Sequence, residues 1–310
     1  MKINKTDYKL IMALQKDGNT SYSDLAETLG ITAKTVAKRV DRLLSSDIIS
    51  IRAQPNPYKL GLSASALIAL KTDPSKNEQI CRHLAENFYV NLVQTVFGRL
   101  DILAIVYFPS WEMLHNFINS ELYTLDGVMQ VELYFIKEFY KRYERFFKKE
   151  RFASGHSKLK ESDWDLIKAL SKNGRANPND LAEKAGSHVS TVYRRIETLL
   201  KGDIIKISAV PNPSRLMPYS ENAFIALDVD PAEVDTICTH FYHYPEIYFI
   251  MTTSNRSGII ICLNAKGNEA LYQFIKSNIS CLKGLSNMET FIRAVVQKAY
   301  YGWLMEIPEV

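Results

Sequence analysis

The feature that most constrains this chain is that it contains itself twice. Displaced by 156 residues, Asp24-Leu25-Ala26-Glu27 falls on Asp180-Leu181-Ala182-Glu183, Gly30 on Gly186, Thr35-Val36 on Thr191-Val192, Arg39 on Arg195, and Leu43-Leu44 on Leu199-Leu200. Asp47-Ile48-Ile49 falls on Asp203-Ile204-Ile205, and Pro55-Asn56-Pro57 on Pro211-Asn212-Pro213. At an offset of 157, Leu67 to Leu70 meets Phe224 to Leu227, Asp73-Pro74 meets Asp230-Pro231, and Phe117-Ile118 meets Phe274-Ile275. Composition does not produce an ungapped match of this length. The 310-residue chain is a tandem duplication, and whatever one half folds into must be built twice.

The best-defined part of the repeat is Ser23 to Ile49. Leu25, Ala26 and Leu29 share one side of a short helix that Gly30 breaks. A second helix starts at Thr32, whose hydroxyl can accept from a free backbone N–H, and it buries Val36, Val40, Leu43 and Leu44. Its other face carries Lys34, Thr35, Lys38, Arg39 and Arg42. A short helix, a glycine turn and a second helix with a cationic outer face is the helix-turn-helix pattern. An ordinary helical hairpin with a solvated charged face has the same spacing, and the second occurrence weighs against it. Upstream, Tyr8, Ile11, Met12 and Leu14 place a helix over Asn4 to Asp17, ended by Gly18. Downstream, Ile48 to Ala53 is a short strand, a wing or exit strand, stopped by Pro55-Asn56-Pro57.

Charge supports this reading only locally. The net charge is +4, with 46% hydrophobic and 23% charged residues, as in globular proteins with real cores. In residues 1–54 the nine cationic side chains outnumber the acidic ones by three, and a basic helix face says more than that surplus. Met1 to Tyr8 lacks the apolar core of a signal peptide, and no apolar run approaches the ~20 residues of a membrane span. Cys81, Cys238, Cys262 and Cys281 show no metal-ligand spacing; Cys81 and Cys238 are equivalent in the two halves and sit in helical patterns, which points to core packing for that pair, and a reducing cytoplasm with no metal and no cofactor is expected.

From Leu62 the pattern alternates. Strands are expected at Ala64 to Thr72, Val90 to Phe97, Asp101 to Phe108 and Val128 to Lys137, with helices at Asn77 to Asn87 and Trp111 to Tyr123. This β-α-β-β-α-β order is the ferredoxin-like unit. Phe139 to Lys160, rich in Lys and Arg, is expected to be a helical extension and then a flexible linker; its Lys141, Arg142, Arg145, Lys148, Lys149 and Arg151 suit either phosphates or solvent. The expected class is α+β: two winged helix-turn-helix domains at 1–54 and 160–210, two ferredoxin-like domains at 60–146 and 217–305, and a linker at 147–159.

Each half resembles the Lrp/AsnC, or feast/famine, family of transcription regulators. The matching residues are Asp7…Leu10-Ile11…Leu14…Asp17-Gly18, Leu25-Ala26…Gly30, Val36…Arg39-Val40…Leu43 and Ile48-Ile49, followed by Gly98-Arg99-Leu100-Asp101, similar to that family's GxxD turn. The second half departs from it with Asn255-Arg256-Ser257-Gly258, and with His188 in place of Thr32. The resemblance implies a cytoplasmic regulator that binds double-stranded DNA sequence-selectively and answers to an amino acid or related small metabolite. It also implies dimers built through the effector domains. One chain supplying both halves can play the part of that dimer, and further pairing into a homo-oligomer stays open.

Chemistry then suggests roles. Lys34, Thr35 and Lys38, and in the second half Ser190, Thr191 and Arg194, are placed to reach base edges. Arg39, Arg42 and Arg195 suit phosphates, although Arg39 and Arg195 equally suit ion pairs with Glu27 and Glu183. Gly98 and Asp101 are the candidate effector residues, opposed by a plain turn-closing role for Asp101. Two other readings stand beside the regulator. Siroheme decarboxylases resemble the same architecture, but Leu92 to Phe97 and Tyr248 to Thr253 hold no His-Arg pair, and His240 and His243 alone do not make a ligand set. The other is a scaffold that binds only protein partners.

Overall fold

The computed structural model describes residues 3–141, 159–212, 221–244, 246–254 and 258–298. The two repeats do not fold as separate halves. Like packs with like: one compact unit holds both helix-turn-helix segments, the other both βαββαβ segments.

In the first unit the first repeat gives α1 (Lys5–Lys16), α2 (Tyr22–Leu29), α3 (Ala33–Ser45) and β1 (Ile49–Pro55). Each helix begins at a side-chain cap, from Asn4, Ser21 and Thr32 in turn, which satisfies N–H groups that the helix leaves without partners. Gly30 ends α2 at φ 66°, a left-handed conformation that glycine adopts without a Cβ clash. Leu10, Ile11, Leu14, Leu25, Val36, Val40 and Leu43 are buried between the helices. The second repeat gives α6 (Glu161–Lys172), α7 (Pro178–Lys184), α8 (Val189–Lys201) and β6 (Ile205–Pro211).

The expected wing is a strand, but not an independent one. β1 pairs antiparallel with β6 of the other repeat, from Ile49↔Pro211 to Pro55↔Ile205. A lone strand would leave its ladder groups to solvent; here each repeat supplies the other's partner. The seam continues symmetrically beyond the strands. Gly18 N–H donates to the Ile207 carbonyl at 2.9 Å, and its counterpart Gly174 N–H to Ile51 at 2.8 Å. A Cβ on Gly18 would lie 2.9 Å from Ser208 Cα, so this glycine permits a close backbone approach as well as following a helix end.

The second unit is a closed eight-stranded barrel, ordered β10-β3-β4-β2-β5-β8-β9-β7. The first repeat contributes β2 (Ala64–Thr72), α4 (Asn77–Glu86), β3 (Val90–Phe97), β4 (Ile102–Phe108), α5 (Trp111–Phe117) and β5 (Val128–Lys141). The second contributes β7 (Glu221–Val229), α9 (Val234–Tyr242), β8 (Ile247–Thr253), β9 (Ile259–Ala265), α10 (Asn268–Phe274) and β10 (Leu285–Lys298). The strand order within each half is that of the ferredoxin-like unit. Two details differ from expectation. The helix from Trp111 changes to a π-helical turn at Ile118–Leu122, and β5 runs to Lys141, so residues 139–141 are strand rather than helix. The extension has a cause: beyond Phe135 the strand pairs with β8, from Ile136↔Thr253 to Lys141↔Ile250. The rest of the expected linker and basic cluster, 142–158, lies outside the described residues.

Each sheet buries one face under its own helices. Ala66, Ile68, Val93, Ala104 and Val106 pack with Ile80, Cys81, Leu84 and Phe117 in one half; Ala223, Ile225, Ile261 and Leu263 pack with Ile237, Cys238 and Phe241 in the other. All four cysteines are free; Cys81 and Cys238 are core residues as expected, and burial pushes the Cys81 thiol up to about 11, with the Glu78 charge adding to it. No helix among the described residues is long and apolar enough to cross a membrane, and no cluster of three metal-ligating side chains occurs among them.

Candidate nucleic-acid interface

Helices α3 and α8 carry the residues singled out in the sequence. On α3, Lys34, Lys38 and Arg42 are exposed, while Thr35 is half-buried. Thr35 is partly engaged already: its N–H donates to Thr32 Oγ1 at 3.2 Å, and the two hydroxyls lie 2.9 Å apart. On α8, Ser190 and Arg194 are exposed and Thr191 is half-buried. His188 stands at the N-cap and makes no side-chain cap bond. Between Ser190 and Arg194 lies Tyr193, 59% exposed, where the first repeat has Ala37. The sequence reading missed it because an aromatic residue in a helix is normally counted as core.

The arginines are placed differently from expectation. Arg39 and Arg42 both reach back to Asp7 on α1, each at 2.7 Å, one to either carboxylate oxygen. Asp7 is fully buried, and it also shares a capping box with Asn4. Burial raises its pKa, but the Arg39 hydrogen bond, the Asn4 N–H and the charges of Arg42 and Arg39 outweigh this, so its carboxyl sits below the ordinary value of 3.8. In the second repeat Arg195 pairs with Asp163 in the same way, and Thr198 replaces the second arginine. The ion-pair partners are therefore Asp7 and Asp163, not Glu27 and Glu183. Residues three apart on a helix share one face, so Arg39 and Arg42 can both reach Asp7, which α1 brings to that level of α3. Spacing within α3 could not reveal this.

The candidate effector turn is built tightly. A Cβ on Gly98 would come within 3.0 Å of Phe291 Cδ1 and 3.2 Å of the Thr290 carbonyl, so β10 of the other repeat requires the glycine there. Asp101 accepts from Lys71 Nζ at 3.0 Å and from Thr72 N–H at 2.8 Å, and its own N–H donates to Leu70. It fastens the turn between β3 and β4 to the end of β2. Between them, Arg99 makes two hydrogen bonds to Glu132 of β5, at 2.5 and 2.7 Å, and two to Glu289 of β10, at 2.5 and 3.0 Å. Glu132 and Glu289 are equivalent positions of the two repeats, so one guanidinium ties the halves together. Residues 255–257 of the corresponding second turn lie outside the described residues. Elsewhere, His240 packs its ring against Phe241 and Tyr244, and His243 caps α9; they form no ligand pair with each other.

Comparison with known proteins agrees with this geometry. Residues 3–44 match the AsnC-type helix-turn-helix domain, 65–146 the Lrp/AsnC ligand binding domain, and 159–206 a winged helix-turn-helix DNA-binding domain. An uncharacterized HTH-type transcriptional regulator of Pyrococcus furiosus is 32% identical over 131 residues, covering 42% of this chain and 88% of that protein. The chain belongs to the Lrp/AsnC family of DNA-binding transcriptional regulators. LrpA of Pyrococcus horikoshii, an HTH-type transcriptional regulator, is 30% identical over 130 residues, which is 42% of this chain and 92% of LrpA. These relatives have close to the length of one repeat. The siroheme decarboxylase NirDL is similar over the whole length, with a TM-score of 0.70, 97% of each chain covered and 16% identity, which shows a shared fold.

Proposed function

We propose that one chain of this regulator supplies both DNA-reading units of a family dimer and reads an operator with two unequal half-sites. The observation that carries the reading is the β1–β6 ladder, which makes the two helix-turn-helix segments one compact unit. Paired recognition helices read half-sites set by their separation along the duplex. Here the readers differ: Lys34, Thr35 and Lys38 on α3 face Ser190, Thr191 and Arg194 on α8 as equivalent positions, and Tyr193 adds an aromatic surface suited to a thymine methyl. Exposed Lys and Arg suit guanine edges. Arg39 and Arg195, held on buried carboxylates, serve first to orient their helices. Arg42 is 41% exposed and keeps a surface toward phosphates.

The ferredoxin-like pair is the proposed receiver of a small-molecule signal in a cytoplasmic protein. The Gly98–Asp101 turn serves this by shaping the junction between the repeats, since the Asp101 carboxylate is already engaged by Lys71 and Thr72. Genome-wide mapping of bound DNA tests the reading. Sites with two dissimilar half-sites are expected; palindromic sites overturn the asymmetry, and absence of site-selective binding overturns DNA reading and favours the protein scaffold. The NirDL likeness motivates one further check of the proposal that the chain is not an enzyme: added siroheme should produce no stoichiometric shift of its absorption bands and no decarboxylated product.

A further inference from the structure

The barrel strands of the second repeat carry a polar row that the first repeat lacks. On β7 and β9, Asn222 stands opposite Asn264, both buried. Asn222 Nδ2 donates to Asn264 Oδ1 at 2.5 Å and to Tyr248 Oη at 2.7 Å, and Tyr248 Oη donates to Asn222 Oδ1 at 3.1 Å. On the other side of β7, the β10 register ends at Ile292↔Ala223. The next residue, Arg293, pairs with Val96 of β3 and lies one step past the end of the β7 ladder, so by alternation from Ile292 it takes the same side of the sheet as Asn222. The row crosses β7, β9 and β8 as Asn222, Asn264 and Tyr248, and Arg293 of β10 flanks it. It lies on the face turned away from the helices, since Ala223, Leu263 and Ile247, their neighbours in sequence, are in the helix-packed core.

The chemistry of this row is one-sided. Arg293 is half-buried and has no carboxylate partner among the described residues, and the Asn264 amide N–H groups have no acceptor among them. Beside the row, Cys262 is buried; burial pushes its thiol well above 9.0, while a hydrogen bond with Tyr248 and the positive charge of Arg293 act the other way. A guanidinium taken partly out of water without a counter-charge is costly, and its fork matches a carboxylate with two parallel hydrogen bonds. Asn222 and Asn264 are buried, whereas Arg293 and Tyr248 are half-exposed, so a ligand reaches the charged end from solvent. At the equivalent positions the first repeat has Ile136, Ser65, Tyr107 and Asn91, and Ile105 replaces Cys262. That row has no charge.

We infer that Arg293 and Asn264 form a binding site for a small carboxylate, one per chain and in the second repeat only, and that its ligand carries a 2-oxo or hydroxy group rather than an ammonium group. The last point follows from the donors: Arg293 and Asn264 offer N–H groups to a carboxylate and a neighbouring carbonyl oxygen, whereas the row offers no carboxylate to an ammonium ion. The inference names a ligand class for the effector unit of the proposed regulator, and it rests on that reading only for its consequence on DNA.

The test is calorimetric titration of the full chain, without DNA, with pyruvate and 2-oxoglutarate, against alanine, glutamate and inorganic phosphate. At least one oxo acid should bind saturably with one equivalent per chain. Arg293→Met should weaken it about tenfold or more, Arg293→Lys less, and Asn264→Asp should weaken it by adding a negative charge. Thermal unfolding of each variant checks the fold, and Asn264→Asp keeps the test decisive if Arg293→Met does not fold. No saturable binding of either oxo acid, or unchanged binding by the folded variants, overturns the site. Tighter binding of the amino acids, or of phosphate, overturns the ligand class. Oxo-acid binding that leaves operator affinity unchanged upholds the site and removes its regulatory role, whereas loss of operator recognition by the ligand-free protein counts against the proposed function alone.

Discussion

The two recognition helices are anchored by the same device at different strengths. Asp7 holds α3 through two arginines, Arg39 and Arg42, while Asp163 holds α8 through Arg195 alone. Thr32 caps α3 with its hydroxyl, and His188 leaves the same end of α8 without a side-chain cap. Duplication thus supplied two copies of one scaffold. What has diverged is how firmly each reading helix is held and what it presents. The same division runs through the barrel, where the first repeat supplies Arg99 to the junction and the second supplies Arg293 to a polar row.

The comparison breaks most visibly at the buried carboxylates. Arg195→Ala leaves Asp163 without its arginine and should cost about 3 kcal/mol in denaturant unfolding. Arg39→Ala leaves Arg42 on Asp7 and should cost about half as much; equal losses would show that the second arginine carries no weight. Adding an arginine by Thr198→Arg should narrow the difference between the two variants.

DNA readout comes next. Lys38→Ala should relax selectivity in one half-site and Arg194→Ala in the other, at ~1–3 kcal/mol for each lost bidentate contact. Footprints of the two variants on a mapped operator check this, and both acting on the same half-site would overturn the assignment. Helix capping gives a smaller and opposite pair of effects. Thr32→Ala should destabilise by about 1 kcal/mol and His188→Thr should stabilise by up to a similar amount, both read from urea midpoints.

The smallest effect is in pH. The folded-state pKa of Asp7 is depressed, so its contribution to stability is complete above the ordinary value of 3.8 and is lost as pH falls below it, through the folded pKa. The fall of the unfolding midpoint below about pH 4 should be shallower in Asp7→Asn. An unchanged acid limb would show that other carboxylates set it.

Local signals made most of this molecule legible in its sequence. The duplication, the helix-turn-helix spacing, the caps at Thr32 and Gly30 and the strands Ala64–Thr72 and Val90–Phe97 depend on residues a few positions apart, and periodicity records such neighbours directly. Partners distant in the chain leave no such record. Asp7 lies 32 residues from Arg39, Gly18 meets a strand of the other repeat, and the wing strand ladders with its own duplicate. The glycine of the Gly98 turn looked like a ligand-site signature, and the packing of Phe291 supplies its reason. Tyr193 and Arg293 are ordinary helix and strand residues until exposure and missing counter-charge distinguish them. The sequence by itself determined which elements form and that they form twice; only the tertiary structure decided which copies pair, because hydrogen-bond ladders and buried charges are satisfied by whatever the fold brings within about 3 Å, not by what lies near in the chain.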